Sequence, residues 1–255
     1  QDAWLRWSES DRGEVRSTQA WLTTIVTRLA IDRLRSAQAQ REIYIGPWLP
    51  EPLADIDPVT PEAKAEQASD LSIALLNLLE RLGHEERAAL VLHDAFDCDY
   101  ADIAATLGKS PAACRQLVHR ARERVSTERR RFEVDEPTRR RMLERFMSAA
   151  ESGNLEELKS IFASDARLIS DGGGKAIAVR RILHGAERIA RLWAAILRRN
   201  AGGIERRIVR VNGELGLATS FRGKLHSVST VDTDGERIYA YYTMANPDKL
   251  REFLR

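Results

Sequence analysis

Lys109, Ser110, Arg115, Gln116, His119, Arg120 and Arg122 crowd into one short stretch of the chain. Guanidinium, amide and imidazole groups are the side chains that donate to the edges of guanine and adenine, and ammonium and guanidinium groups hold phosphate oxygens. An arginine-rich helix face is by itself more often merely solvated, so the surrounding grammar decides. Tyr100, Ile103, Ala104 and Leu107 stand at helical spacing, and Gly108 stops that helix. Ser110 and Pro111 then give a start signal, an N-cap followed by proline at the first helical position. The second helix runs from Pro111 to about Arg131 and buries Cys114, Leu117, Val118, Ala121 and Val125. Two helices joined by a tight glycine-containing turn, the second one basic, read as a helix-turn-helix.

A second group of residues has acid–base potential: Asp165, Asp171, His184, His226 and Asp232. No nucleophile–base pair is forced by their spacing, so they read as loop and surface residues and no catalytic residue is assigned. Gly172, Gly173 and Gly174 precede no helix N-terminus at phosphate-loop spacing and read as a tight turn. The two cysteines, Cys98 and Cys114, have no neighbouring Cys or His at zinc-ligand spacing. Neither a disulfide framework, a metal site nor a cofactor is expected, which suits a reducing compartment. Cys114 lies on a buried stripe and reads as core filling, and Cys98 sits in a polar turn.

These residues need elements to position them. The chain has 255 residues, 43% hydrophobic and 31% charged, with a formal net charge of +2. That length suits more than one domain, and that apolar fraction excludes global disorder. No apolar run approaches the ~20 residues that span a bilayer, so a cytoplasmic protein is expected. Residues 1–8 read as the end of a helix, with Trp4 and Leu5 apolar, and the chain opens without an initiator Met. A polar loop follows to Thr18, then a helix from Gln19 to about Arg41. Its Leu22, Ile25, Val26 and Leu29 form one stripe expected to be buried, and Arg28 and Asp32 are placed to pair. Gly46 to Leu53 is too proline-rich for a helix, and Pro58 and Pro61 prolong the break. Apolar Trp48, Leu49 and Leu53 within this linker imply that it docks on something. Leu71, Leu75, Leu78, Leu79 and Leu82 make a helical stripe ended by Gly83, and a helix from about Glu85 to Ala95 carries Ala88, Leu92 and Ala95 on one side.

Beyond Arg131 the pattern changes. Helices are expected over Glu136–Ala150, from Asn154 through Phe162, and over Gly185–Arg199. Strand signals follow at Ile204–Val211, Leu215–Phe221, Lys224–Val231 and Arg237–Met244, separated by Asn-Gly and Asp-Gly turns. Helices followed by a curled antiparallel meander make an α+β domain, and a last short helix follows Pro247.

Ala20-Trp21-Leu22 through Asp32-Arg33-Leu34-Arg35 resembles the promoter-reading helix of sigma region 2. Tyr100-Ala101-Asp102-Ile103-Ala104 through His119-Arg120-Ala121-Arg122 resembles the helix-turn-helix of sigma region 4. Together they resemble the extracytoplasmic-function class of sigma factors. Trp48-Leu49-Pro50-Glu51-Pro52, Asp171 through Lys175, and Asn246-Pro247-Asp248-Lys249-Leu250 resemble the subgroup with a fused C-terminal SnoaL-like domain of the NTF2-like fold. The resemblance spans nearly the whole chain and departs from the family at the N-terminus, where most of region 2 before Trp4 is expected to be missing.

The resemblance implies a multidomain protein: an all-α region 2 remnant at 1–43, a linker at 44–62, an all-α region 4 at 63–131, and an α+β NTF2-like cone at 136–255. It implies an alternative sigma factor that acts with core RNA polymerase on promoter DNA as a monomer. Lys109, Ser110, Ala112, Arg115, Gln116, His119, Arg120 and Arg122 would serve the −35 element. Arg12, Arg16, Arg28, Arg35 and Arg41 would serve the −10 element, together with the Asp11–Thr18 loop. Trp48, Leu49, Pro50, Asp171, Gly172, Gly173, Gly174, Lys175, Asn246, Pro247 and Asp248 would join the linker to the last domain and modulate activity, with an unidentified small ligand in the cone. Two other readings stay open at this point: a ligand-responsive helix-turn-helix regulator, and a small isomerase or cyclase with helical appendages.

Overall fold

A computed structural model of the chain describes residues 1–10, 15, 17–41, 44–54, 72–128, 134–200 and 202–254, with the side chains of 37–41, 127–128, 252 and 254 left out of the description. The chain divides into two compact units. One comprises Gln1–Ile43 with Leu78–Arg129, and the other Tyr44–Asn77 with Arg130–Arg255.

The helical unit holds α1 (Asp2–Glu9), α2 (Thr18–Arg41), α4 (His84–Asp94), α5 (Tyr100–Leu107) and α6 (Pro111–Glu128); α3 (Ile73–Leu79) spans the division between the units. Ser17 caps α2, its Oγ accepting from the Ala20 N–H at 3.3 Å. Asp99 caps α5 by accepting from Asp102, and Ser110 caps α6 by accepting from Ala113. Each cap satisfies one amide that the first helical turn leaves open. Gly108 closes α5 in the left-handed region, at φ +66°. The core of this unit gathers Ala89, Leu92, Ile103, Ala104, Cys114, Val118 and Ala121.

Two stripes fall differently from the sequence reading. In α4 the buried residues are Glu86, Ala89, Leu90 and Leu92, and Ala95 is exposed, so the inward face is rotated from the expected one. Among the described side chains of α2 the only buried one is Ile31, whereas Leu22 is 39% and Val26 51% exposed. The Leu22–Val26 edge of that stripe is therefore only partly covered by the described residues of this unit.

The α+β unit holds α7 (Glu136–Ser152), α8 (Leu155–Ile161), β1 (Phe162–Asp171), β2 (Leu183–His184), α9 (Ala186–Arg199), β3 (Ile204–Val211), β4 (Glu214–Phe221), β5 (Lys224–Thr233) and β6 (Ile238–Met244), with 3₁₀ turns at Pro247–Lys249 and Arg251–Leu254. The strand order is β2-β1-β6-β5-β4-β3. Strands β3 to β6 form the expected antiparallel meander. β1 enters the sheet parallel to β6, so the sheet is mixed rather than wholly antiparallel. Register irregularities in β1/β6, β4/β5 and β5/β6 go with its curvature. On one face Phe146, Leu158, Ile189, Leu217, Val231 and Tyr241 form the core against the helices. On the other, Leu49 and Ile73 join Val211, Val228, Tyr242 and Met244. This is the helix-on-curved-sheet arrangement of an NTF2-like cone.

Candidate nucleic-acid interface and linker clasp

Ala112, Arg115, Gln116, His119 and Arg120 line one open concavity on the exposed side of α6. Positions 112, 115, 116 and 119 share a face because three and four residues nearly complete a helical turn. The opposite side of α6 is held by the buried Cys114, Leu117, Val118 and Ala121. The Arg115 guanidinium lies 5.0 Å from the centroid of the Tyr100 ring, a cation–π contact across the turn. Gln116 and His119 have no hydrogen-bond partner among the described residues, so their polar atoms face solvent.

The other cations are held by carboxylates. Lys109 lies 3.1 Å from Glu85, and Arg120 lies 3.7 Å from Glu86. Glu86 also accepts from Arg124 at 2.8 Å and from the Gly83 amide. Arg122 donates to Asp94 through Nε at 3.1 Å, and its hydrogen bond holds the Asp94 carboxyl below the usual carboxylate range. The Lys109–Glu85 and Arg122–Asp94 pairs are partly exposed and individually weak, so phosphate oxygens can replace those carboxylates at low cost, whereas Glu86 is buried and keeps Arg124 and the Gly83 amide as partners if Arg120 turns to DNA.

Of the expected −10 residues, Arg12 and Arg16 lie outside the described residues, as do most of the Asp11–Thr18 loop and the Arg41 side chain. Arg28 does not pair with Asp32. Its Nε donates to the Thr106 carbonyl at 3.4 Å, while Asp32 lies 3.8 Å from Arg35.

The linker residues meet the α+β unit at Asp171. This residue was read as lying in a loop or on the surface; it is instead wholly buried at the end of β1. Its Oδ1 accepts from the Tyr44 hydroxyl at 2.5 Å and from the Gly173 amide at 3.1 Å. Its Oδ2 accepts from the Leu49 amide at 2.8 Å and from Lys249 Nζ at 2.8 Å. Lys249 also donates to the Leu49 carbonyl and stands 4.0 Å from the centroid of the Trp48 ring. Asn246 donates to the Tyr44 hydroxyl at 2.8 Å. Burial and the Asp171 hydrogen bond push the Tyr44 phenol well above its ordinary pKa, so it stays a donor. Leu49 and Pro50 are buried, and Lys175 pairs with Asp248.

The glycines make the turn possible. Gly173 and Gly174 take φ values of +58° and +71°, and a Cβ on Gly173 would sit 2.3 Å from Asn246 Nδ2. Tyr44 and Lys249 complete the clasp and were not singled out in the sequence. Lys249 lay within a motif already quoted, but its ion pair with Asp171 is a tertiary contact that the motif does not mark. Asp165, His184 and His226 are exposed, and Asp232 is half-buried. Among the described residues, no group of three His, Cys, Asp or Glu side chains could hold a metal ion. No helix among them is long and apolar enough to cross a membrane.

The helix-turn-helix with its open basic face defines a DNA-binding protein, fused to an α+β unit that grips its own linker. The family model described as "Sigma-70, region 4" matches residues 72–125. The chain is 35% identical over 260 residues to the ECF RNA polymerase sigma factor SigJ of Mycobacterium tuberculosis, covering 98% of this chain and 83% of that one. It is 34% identical over 164 residues to the probable ECF sigma factor SigI of the same organism, covering 63% of this chain and 56% of the relative. The crystal structure of M. tuberculosis SigJ aligns with a TM-score of 0.75 at 32% identity, covering 98% of this chain and 87% of that one. The chain belongs to the extracytoplasmic-function family of RNA polymerase sigma factors, and its function is that of an alternative sigma factor.

Proposed function

We propose that α6 enters the major groove of the −35 element, where Arg115, Gln116 and His119 read base edges. Ser110 and Ala112 bring the helix N-terminus against the DNA backbone, and Lys109, Arg120 and Arg122 hold phosphates. Region 2 serves the −10 element through Arg12, Arg16, Arg28, Arg35 and Arg41. Core RNA polymerase performs the chemistry, and the chain supplies no catalytic residue. The protein works in the cytoplasm as a monomer on an asymmetric promoter.

The observation that carries the −35 assignment is the face of α6 itself, which leaves Gln116 and His119 unpartnered beside Arg115. The −10 assignment rests on the family alone. The α+β unit modulates activity, and the Asp171 clasp on Tyr44 and Leu49 supports that role because it fixes the linker between the two DNA-reading regions. A small molecule bound in the cone is the signal in this reading.

Run-off transcription with core RNA polymerase tests it, comparing the full-length protein with a version ending after Arg131. Promoter-specific transcripts that differ between the two are expected. No transcript from either, on promoters drawn from the protein's own genome, overturns the assignment.

A further inference from the structure

Charge is spread unevenly along this chain. Residues 134–255 carry 22 Lys and Arg against 16 Asp and Glu, a net of +6, whereas residues 1–133 carry 18 against 22, a net of −4. The half that holds the helix-turn-helix is therefore acidic, and the half that forms the sheet is basic. A polyanion responds to local charge, which the overall +2 conceals.

Part of the excess lies on one helix face. α9 buries Ala186, Ile189, Ala190 and Ala194. Its other side exposes Arg188, Arg191, Ala195, Arg198 and Arg199. Steps of three and four residues put these positions on one stripe. No acidic residue interrupts it. Glu187 stands at its edge and pairs with Arg191 at 2.7 Å and with Lys159 of α8 at 3.0 Å. Arg188, Arg198 and Arg199 have no ion-pair or hydrogen-bond partner among the described residues. Arg198 and Arg199 complement the negative end of the helix dipole in the last turn. Arg188 does not, because it is the third residue of α9, where the positive end of the dipole disfavours a cation. Neither packing nor the dipole accounts for the whole stripe.

The spacing suits a phosphate backbone. Arg188 and Arg199 are eleven positions apart, which is about 16 Å of helix at about 1.5 Å per residue. One DNA strand carries a phosphate about every 3.4 Å along the duplex axis, so that length faces about four or five phosphates. All four cations are arginine, whose planar fork takes two phosphate oxygens at once. The small Ala195 between them leaves room for close approach. We infer that the exposed face of α9 binds the phosphate backbone of promoter DNA through Arg188, Arg191, Arg198 and Arg199, which makes the α+β unit a second, sequence-independent DNA contact. The inference rests on the reading of the chain as a promoter-binding sigma factor.

Binding of promoter DNA by the polymerase-bound protein, titrated in salt, tests it. Arg188→Gln, Arg191→Gln, Arg198→Gln and Arg199→Gln combined should lower the salt slope by about 3–4 and weaken intact and −35-mutated promoters alike. All four side chains are exposed, so the Tm should move little. The same four positions changed to Lys keep the charge and should retain most of the slope. Neutralising Arg207, Arg222, Lys224 and Arg237, exposed cations elsewhere on this unit, should leave the slope nearly unchanged. A slope unchanged in the Gln protein overturns the inference, as does an equal loss from the control set. Weakened binding to core polymerase with the DNA slope intact also overturns it and gives this face to the enzyme. Arg115→Ala in the same titration reads the −35 assignment separately. It should relax −35 discrimination whatever α9 does, so failure of the α9 contact and failure of the sigma reading are told apart.

Discussion

Lys249 Nζ lies 2.8 Å from Asp171 Oδ2, with the lysine side chain 13% and the aspartate side chain 0% exposed. A buried ion pair gains little net stability over apolar packing, but losing one partner strands the other charge. Asp171→Asn keeps the shape and leaves a single acceptor oxygen, so its amide donor meets either the Leu49 N–H and the Lys249 ammonium or the Gly173 N–H beside the Tyr44 hydroxyl. It should destabilise the α+β unit by about 3–5 kcal/mol. Adding Lys249→Met should recover part of that loss. Hydrogen exchange at the Leu49 amide reads the effect locally. Protection unchanged in Asp171→Asn would show that the carboxylate does not hold the linker.

Gly173 separates two causes of clasp strength. Alanine there meets both an unfavourable φ of +58° and Asn246 Nδ2 at 2.3 Å. Left-handed backbone alone costs about 1–2 kcal/mol for a non-glycine residue. Displacing Asn246 also removes its hydrogen bond to the Tyr44 hydroxyl. Gly173→Ala should therefore cost at least as much as Tyr44→Phe, which removes a hydrogen bond to the Asp171 carboxylate worth about 1.5–3 kcal/mol and one to Asn246 worth about 1 kcal/mol. Urea unfolding of the three proteins gives the order.

Much of this was legible because local signals were unambiguous. Gly108, Ser110 and Pro111 punctuate α5 and α6, and Asn212-Gly213 and Asp234-Gly235 punctuate the meander. β1 was harder. It follows directly from α8 with no turn residue, since Phe162 caps the helix and opens the strand. Its parallel partner β6 lies far along the chain, so no hairpin signal marks it. The clasp was half legible. Asp171 and Leu49 stood in recognisable motifs, but the partnership of Tyr44 with Lys249 depends on tertiary proximity that no spacing encodes.

The α2 stripe shows the limit of periodicity, which identifies an apolar face but not what covers it. Ile31→Ala removes a buried side chain, 7% exposed, and should cost about 2–4 kcal/mol. Val26→Ser acts at a position 51% exposed and should change stability of the helical unit by less than about 0.5 kcal/mol. Paired denaturation curves decide. A large loss from Val26→Ser would mean that this edge is covered in solution.

Asp94 gives the helical unit a pH dependence with a defined sign. The Arg122 hydrogen bond lowers its folded pKa, so the stabilisation is present above the unfolded value and is lost as pH falls through the folded one. The window lies below about pH 4. The Asp94 side chain is 37% exposed, so the contribution stays under about 1 kcal/mol. Arg122→Gln should flatten the acid limb of the stability profile there and leave neutral stability nearly unchanged. An acid limb identical in the two proteins would remove the pair from the account.

Arg28 meets the Thr106 carbonyl through Nε alone, so its terminal guanidinium nitrogens can still donate to a DNA phosphate. In this structure its Nε donates to that carbonyl at 3.4 Å, and the Thr24 and Thr106 hydroxyls lie 3.4 Å apart. Both contacts are long, so releasing them is cheap. If Arg28 takes a phosphate on promoter DNA, Arg28→Ala should weaken binding across sequences and lower the salt slope by about 1. Thr106→Val removes a hydroxyl but leaves the carbonyl, so it should loosen the α2–α5 packing slightly without touching the salt slope. Fluorescence anisotropy of promoter DNA with the polymerase-bound protein, titrated in salt, gives both slopes. A slope unchanged by Arg28→Ala would assign Arg28 to packing between α2 and α5 and withdraw it from the −10 set.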